Sequence, residues 1–216
     1  MPRTLLLDLD GTLVDTVPDL AAALNRLMHA HRLPTFSHAQ VASMVGDGVA
    51  VLVSRAFAVH DRQPDAADLA HFATDYAAHV AVDSTLYPDV LPALTGLAQD
   101  GWRLAVCTNK PEHTARALLC ALGLLPLLCA IGGGDSFAVR KPDPAHLLAT
   151  LSRTHASPDT ALMIGDHRND VIAARGAGLR SIFALWGYGA PGMESGSTAV
   201  ARDIIEAAAI ARRLLP

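Results

Sequence analysis

After Tyr87-Pro88 the chain alternates short apolar runs with amphipathic stretches, and this alternation limits the fold more than any other feature. Residues 103–108, 127–131, 160–165 and 180–185 are expected as strands, and 90–98, 112–122, 145–154, 169–177 and 199–215 as helices. Strands separated by helices need crossover connections, so the sheet is parallel and covered on both faces. Residues 4–9 form one more apolar run, a first strand that ends in acidic residues. Between it and Tyr87 the apolar period is helical, as in Leu20, Leu24, Leu27 and Met28 or Leu69, Phe72, Tyr76 and Val80. Pro34, Gly46-Asp47-Gly48 and Pro64 divide that block into four helices. The expected fold is a doubly wound α/β core, residues 1–15 and 87–216, with a helical block inserted at 16–86.

Composition narrows the function classes. A chain of 216 residues that is 51% hydrophobic can bury a large core. Net charge is −4 and no long Lys/Arg run occurs, which counts against a nucleic-acid partner. The uncharged stretch 117–134 is broken by Gly123, Pro126 and Gly132 to Gly134. It reads as helix, turn and buried strand, with no membrane span. Cys107, Cys120 and Cys129 form no CxxC pair and are expected as buried free thiols. The opening apolar run is too short for a secretory signal, so a cytoplasmic location is expected. Of 17 basic residues only Lys110 and Lys141 are lysines, so any chemistry that needs an amine must use one of them.

In open α/β sheets ligands bind beyond the C-terminal ends of the strands. Four polar clusters fall there. The first is Asp8-Leu9-Asp10-Gly11-Thr12, whose two carboxylates lie two apart at a strand end. Four fixed positions at roughly 5% each make an Asp-x-Asp-Gly-Thr string a chance event of about one in a thousand for this length. The second, Thr108-Asn109-Lys110-Pro111, joins a hydroxyl, a helix N-terminus and an ammonium, which together suit an anion. The third is Arg140-Lys141-Pro142-Asp143-Pro144, and the fourth Gly165-Asp166-His167-Arg168-Asn169-Asp170. Taken singly, each of these is equally readable as a helix cap or a solvated loop.

In this order the four clusters resemble the haloacid dehalogenase superfamily of phosphotransferases. Thr108-Asn109-Lys110-Pro111, Leu122-Gly123-Leu124 and Gly133-Gly134-Asp135 are similar to strings of its phosphoglycolate phosphatases, as is Gly46-Asp47-Gly48 followed by Leu52 and Arg55-Ala56. The resemblance implies a Rossmann-like core with a mobile cap made from the inserted block. It implies that Asp8 attacks phosphorus and that Asp10 serves as general acid and base. Thr108 and Lys141 would hold phosphate oxygens. Asp8, Asp166 and the backbone carbonyl of Asp10 would bind Mg²⁺, with Asp170 nearby as an outer ligand or a partner of Lys141. Gly11, Thr12, Asn109, Lys110, Gly46 and Arg55 are the expected substrate contacts. Arg55 is singled out for a substrate carboxylate, because the cap has no lysine and Arg offers a bidentate fork; the alternative is that it pairs with Asp47 or another acid of the cap. His167 is expected to face outward.

The implied enzyme is a Mg²⁺-dependent phosphomonoester hydrolase of a small phosphorylated metabolite, acting as a monomer or homodimer. Sugar-phosphate, nucleotide and pyrophosphate hydrolysis, and phosphosugar mutation, remain open. Carbon–halogen hydrolysis is disfavoured by Asp10, and Schiff-base chemistry by the lysine-free cap. A non-catalytic relative would be expected to lack one of Asp8, Asp10, Lys141 or Asp166, and all four are present.

Overall fold

The computed structural model describes residues 2–216, so Met1 of the expected core segment lies outside the described residues. The apolar runs become β1 (Thr4–Leu7), β4 (Arg103–Cys107), β5 (Leu128–Gly132), β6 (Ala161–Gly165) and β7 (Arg180–Ala184). With β8 (Ala199–Ala201) they form a parallel sheet of order β5-β4-β1-β6-β7-β8. Leu6 lies opposite Ala105 on one side and Met163 on the other, which puts β1 at the centre. Chain order reverses between β1 and β6, and this switch opens the crevice where such folds bind ligands.

Side chains alternate across β1. Leu5 and Leu7 join a core that includes Leu94 and Leu97 of α5 (Val90–Gln99) and Ala207 and Ala211 of α9 (Ile204–Leu214). Leu6 joins a smaller core with Leu147 and Leu151 of α7 (Pro144–Ser152) and Ala173 and Ala174 of α8 (Arg168–Gly176). Burial on both faces explains why these strands read as continuous apolar runs. α6 (Glu112–Ala121) completes the helical cover.

The inserted block holds four helices: α1 (Val17–Ala30), α2 (His38–Ala42), α3 (Val49–Ala58) and α4 (Ala66–Ala78). Ser37 and Gln40 form a capping box on α2, and Asp65 and Asp68 form one on α4. The chain leaves and re-enters the core through two short antiparallel strands, β2 (Val14–Asp15) and β3 (Thr85–Leu86). The Asp19 carboxylate, buried, accepts the N–H groups of Val82, Asp83 and Ser84 at 2.9–3.0 Å and ties the two passages together.

Three expectations are corrected. Residues 199–201 are a sheet strand, because Asp203 accepts the Glu206 N–H and starts α9 only at Ile204. Cys120 and Cys129 are exposed and only Cys107 is buried. Cys129 sits on the sheet's edge strand, where one face is open, so the uncharged stretch ends in a half-buried strand. None of the described helices is long and apolar enough to cross a membrane.

Candidate active site

The β1 ladder runs one residue past the strand, with Asp8 N–H donating to the Ile164 carbonyl at 2.9 Å. Asp8 is thereby fixed at the switch point beside Asp166, which follows β6. The Asp8 Oδ1 accepts the Leu9 N–H at 2.7 Å and faces Lys141 Nζ at 2.9 Å. Lys141 also donates to Asp170 Oδ1 at 2.6 Å. Asp170 is the third residue of α8, and its Oδ2 accepts the His167 N–H at 3.0 Å in a capping box. Both of its oxygens are therefore engaged, and helix geometry fixes the side chain that holds Lys141.

Carboxylate oxygens of Asp8, Asp166 and Asp170 converge within 4.8 Å, all three residues buried. Burial pushes Asp8 up to about 6 against the pull of Lys141, and Asp170 adds to the rise. Burial, then Asp8 and Asp170, pushes Asp166 up to about 8. Burial opposes the charge on Lys141 too, but Asp170 and Asp8 outweigh it and raise its pKa. One ammonium among three buried carboxylates leaves negative charge uncompensated, and the donors are all hard oxygens.

Asp10 points elsewhere. Its carboxylate accepts from Lys110 Nζ at 2.8 and 3.1 Å, and that ammonium lies 4.6 Å from the centre of the Tyr76 ring of α4. Asp8, Asp10, Thr108 and Lys110 line the floor of a cavity whose volume is about 30 Å³. Leu20, Val45, Val49 and Leu52 of the inserted block form an apolar roof. Gly46 also lines it, and its carbonyl accepts from Asn109 Nδ2 at 3.0 Å and Asn169 Nδ2 at 3.3 Å. Gly46 has φ +120°, and a Cβ there would collide with the His167 ring.

Several expected contacts lie elsewhere. Arg55 does not line the cavity: it pairs with Asp47 Oδ2 at 2.5 Å and donates to the Met44 carbonyl at 2.9 Å. A nearer carboxylate has taken its fork. Thr12 is buried below the floor, and its hydroxyl donates to Asp166 Oδ1 at 2.8 Å. Gly11 (φ +83°) packs so closely on Asp166 and Tyr188 that a Cβ would clash with both. These two residues position Asp166. Asn109 bridges the Gly46 and Lys141 carbonyls. His167 turns inward, with its ring accepting the Asn169 N–H at 3.2 Å to cap α8.

Tyr188 lies between the expected strand at 180–185 and the expected helix at 199–215, and the sequence assigns it no role. The Tyr188 N–H donates to Asp166 Oδ2 at 2.8 Å, and its hydroxyl donates to Asp15 Oδ1 at 2.7 Å in β2. The same hydroxyl accepts the N–H groups of Thr16 and Val17. Nearby, Trp186 Nε1 donates to the Thr12 carbonyl at 2.9 Å. Two aromatic residues within a run of glycines were the available signal. For Tyr76 there was none beyond its place in an apolar helical period.

The haloacid dehalogenase-like hydrolase family matches residues 2–178. The chain belongs to that family. Phosphoglycolate phosphatase of Rhodospirillum rubrum is 44% identical over 196 residues, covering 87% of this chain and 81% of that protein. Phosphoglycolate phosphatase 1 of Pseudomonas aeruginosa is 39% identical over 219 aligned positions, covering 96% and 80%. The crystal structure of a predicted phosphoglycolate phosphatase from Haemophilus somnus matches with a TM-score of 0.89 at 30% identity, over 96% of this chain and 97% of its own. This haloacid dehalogenase-like hydrolase is accordingly a phosphatase, built on the doubly wound sheet.

Proposed function

We propose that the chain hydrolyses phosphoglycolate, or a phosphomonoester of similar size, through a phosphate ester on Asp8. The observation that carries this is the placement of Asp8: it is at the switch point, 2.9 Å from a buried lysine, under a cavity that Asp10 also lines. With Oδ1 held by Leu9 and Lys141, Oδ2 is the oxygen that attacks phosphorus. The phosphorus–ester bond breaks as Asp10 gives its proton to the leaving alkoxide. Asp10, now a carboxylate, takes a proton from the water that attacks the phosphoaspartate. Phosphate leaves and Asp8 is restored. Thr108 and Lys141 hold phosphoryl oxygens during both displacements.

The converging carboxylates fit a hard divalent cation, and Mg²⁺ is the reading adopted. Asp8, Asp166 and the Asp10 carbonyl would hold it. Asp170, engaged by Lys141 and by the His167 N–H, would orient rather than bind. An ion bound there would offset the carboxylate charge and would supply Lewis-acid polarisation of the phosphoryl group. Residues 16–86 act as a cap that closes over the core, 1–15 and 87–216. The small cavity and apolar roof support a short leaving group, since about 10–15 Å³ of such volume holds one water. The protein works on a free small metabolite, as a monomer or homodimer.

The test is a turnover comparison with Mg²⁺ over phosphoglycolate, sugar phosphates, nucleotides and pyrophosphate, with Asp8→Asn as control. Phosphoglycolate is expected to have the highest kcat/KM. Acid-quenched wild-type enzyme should carry radiolabelled phosphate that Asp8→Asn does not. Turnover by Asp8→Asn within about tenfold of wild type would rule out the covalent route.

A further inference from the structure

We propose that Lys110 is the specificity residue for a carboxylate on the leaving group, one carbon beyond the ester oxygen. The inference rests on the phosphoglycolate reading above and supplies the recognition that Arg55 does not. Among the described residues Lys110 is the one cation that lines the cavity. Lys141 is held beneath Asp8 and Asp170, Arg55 is held by Asp47, and Arg140 lines the neighbouring cleft. Lys110 is 3% exposed, so its charge acts with little screening from water.

An ammonium has three donors, and Asp10 accepts from Lys110 at two distances, 2.8 and 3.1 Å. A second carboxylate can therefore share Lys110 with Asp10. The second observation lies beside it: the Tyr76 hydroxyl is buried with no hydrogen-bond partner. A buried donor without an acceptor is costly, and a carboxylate is an acceptor with two oxygens to offer. Lys110 and Tyr76 thus form a cationic and a neutral donor side by side, with Lys110 on the cavity lining. The roof of Leu20, Val45, Val49 and Leu52 offers sugar or nucleoside hydroxyls no side-chain partner. A short acid meets the charge at the floor and leaves only its methylene for that roof.

The experiment pairs phosphoglycolate with ethyl phosphate, which has the same chain length and a methyl group in place of the carboxylate. Lys110→Met keeps the stem and removes the charge. Wild type is expected to prefer phosphoglycolate by about 100-fold in kcat/KM, and Lys110→Met to cut that ratio by about tenfold or more, through KM. Tyr76→Phe, which removes only the unpaired hydroxyl, should lower the ratio about threefold without loss of thermal stability. Titration of each ligand into Asp8→Asn reads the same preference as binding, independent of turnover. Equal losses on both substrates in Lys110→Met, with an unchanged ratio in Tyr76→Phe, would overturn the proposal and leave Lys110 as a support for Asp10. A wild-type enzyme that hydrolyses other phosphomonoesters and ignores the carboxylate would instead defeat the phosphoglycolate reading, and Lys110 with it. If Lys110→Met fails to fold, the Tyr76→Phe ratio and the wild-type binding preference decide.

Discussion

The two lysines of the chain occupy opposite electrostatic situations 31 residues apart. Lys141 lies under the floor, 2.9 Å from Asp8 and 2.6 Å from Asp170, with Asp166 close by. Lys110 lies between core and inserted block, with Asp10 on one side and an aromatic ring on the other. At Lys141 carboxylates outnumber the cation, so its charge is committed to the centre around Asp8. At Lys110 the charges are one to one and a neighbouring hydroxyl has no partner, so its charge remains open to a ligand. The same ammonium is thus enclosed by carboxylates in one place and, on the proposal above, a means of selection in the other.

The largest expected effect separates these roles. Lys141→Met should cut kcat on phosphoglycolate and ethyl phosphate alike by on the order of 10³-fold, because preorganised charge at the reacting centre is lost for any leaving group. It should also destabilise the fold, since Asp8 and Asp170 lose a buried counter-charge. Steady-state kinetics on both substrates and a thermal melt measure this. A loss confined to phosphoglycolate would erase the distinction between the two lysines.

Metal and pH provide the next contrast. Asp8 and Asp166 are raised from 3.8 to about 6 and about 8. With folded pKa values above the unfolded ones, the folded chain keeps protons that the unfolded chain releases. The contribution of these two groups to stability without metal is therefore fully present below about 4 and is lost as pH rises through about 8. A bound cation competes with those protons, so Mg²⁺ should raise Tm more at pH 8 than at pH 5. At 100-fold over Kd the stabilisation is about 2.7 kcal/mol, or roughly 5–10 °C for a chain of this size. Melts in EDTA and in Mg²⁺ at both pH values provide the check. An increment that does not depend on pH would remove Asp8 and Asp166 as the group that binds the ion.

The sheet was legible because its central strands are buried on both faces and read as unbroken apolar runs. The insert was legible because its helices carry a single apolar stripe. β8 was not: Ala199-Val200-Ala201 is too short for any period, and only pairing with β7 makes it a strand. Asp8, Asp166 and Lys141 could be located because strand ends in such a sheet converge. What the sequence did not reveal is which side chains meet across chain segments. The pair of Arg55 with Asp47 is the exception, since a carboxylate eight residues away was already the alternative to a substrate contact, and that local pair forms. Thr12 was assigned outward to substrate, yet the tight turn at Gly11 sends its hydroxyl inward to Asp166. Tyr188 links Asp166 to the neck at Asp15, a contact across more than 170 residues that no spacing encodes.

The smallest expected effect tests whether selection and closure are separable. Asp47 joins the two halves of the molecule: its Oδ1 accepts from Asn169 Nδ2 at 2.7 Å, and its Oδ2 faces Arg55 at 2.5 Å. Desolvation works against its charge, but Asn169 and Arg55 together hold the carboxyl below the usual range. The pair with Arg55 is partly exposed, so water screens it and its contribution is small. The Asn169 contact is the one that crosses from the inserted loop to the core. Asp47→Ala should therefore weaken the closed arrangement by about 1 kcal/mol, raising KM about fivefold and leaving kcat nearly unchanged. On the proposed closure the roof covers any leaving group, so phosphoglycolate and ethyl phosphate should lose by the same factor. Lys110→Met and Asp47→Ala then differ in kind, one changing the ratio between substrates and the other only their common affinity. A drop in the ratio from Asp47→Ala would mean that the loop itself reads the carboxylate, and selection would have to be shared between Lys110 and the segment around Gly46.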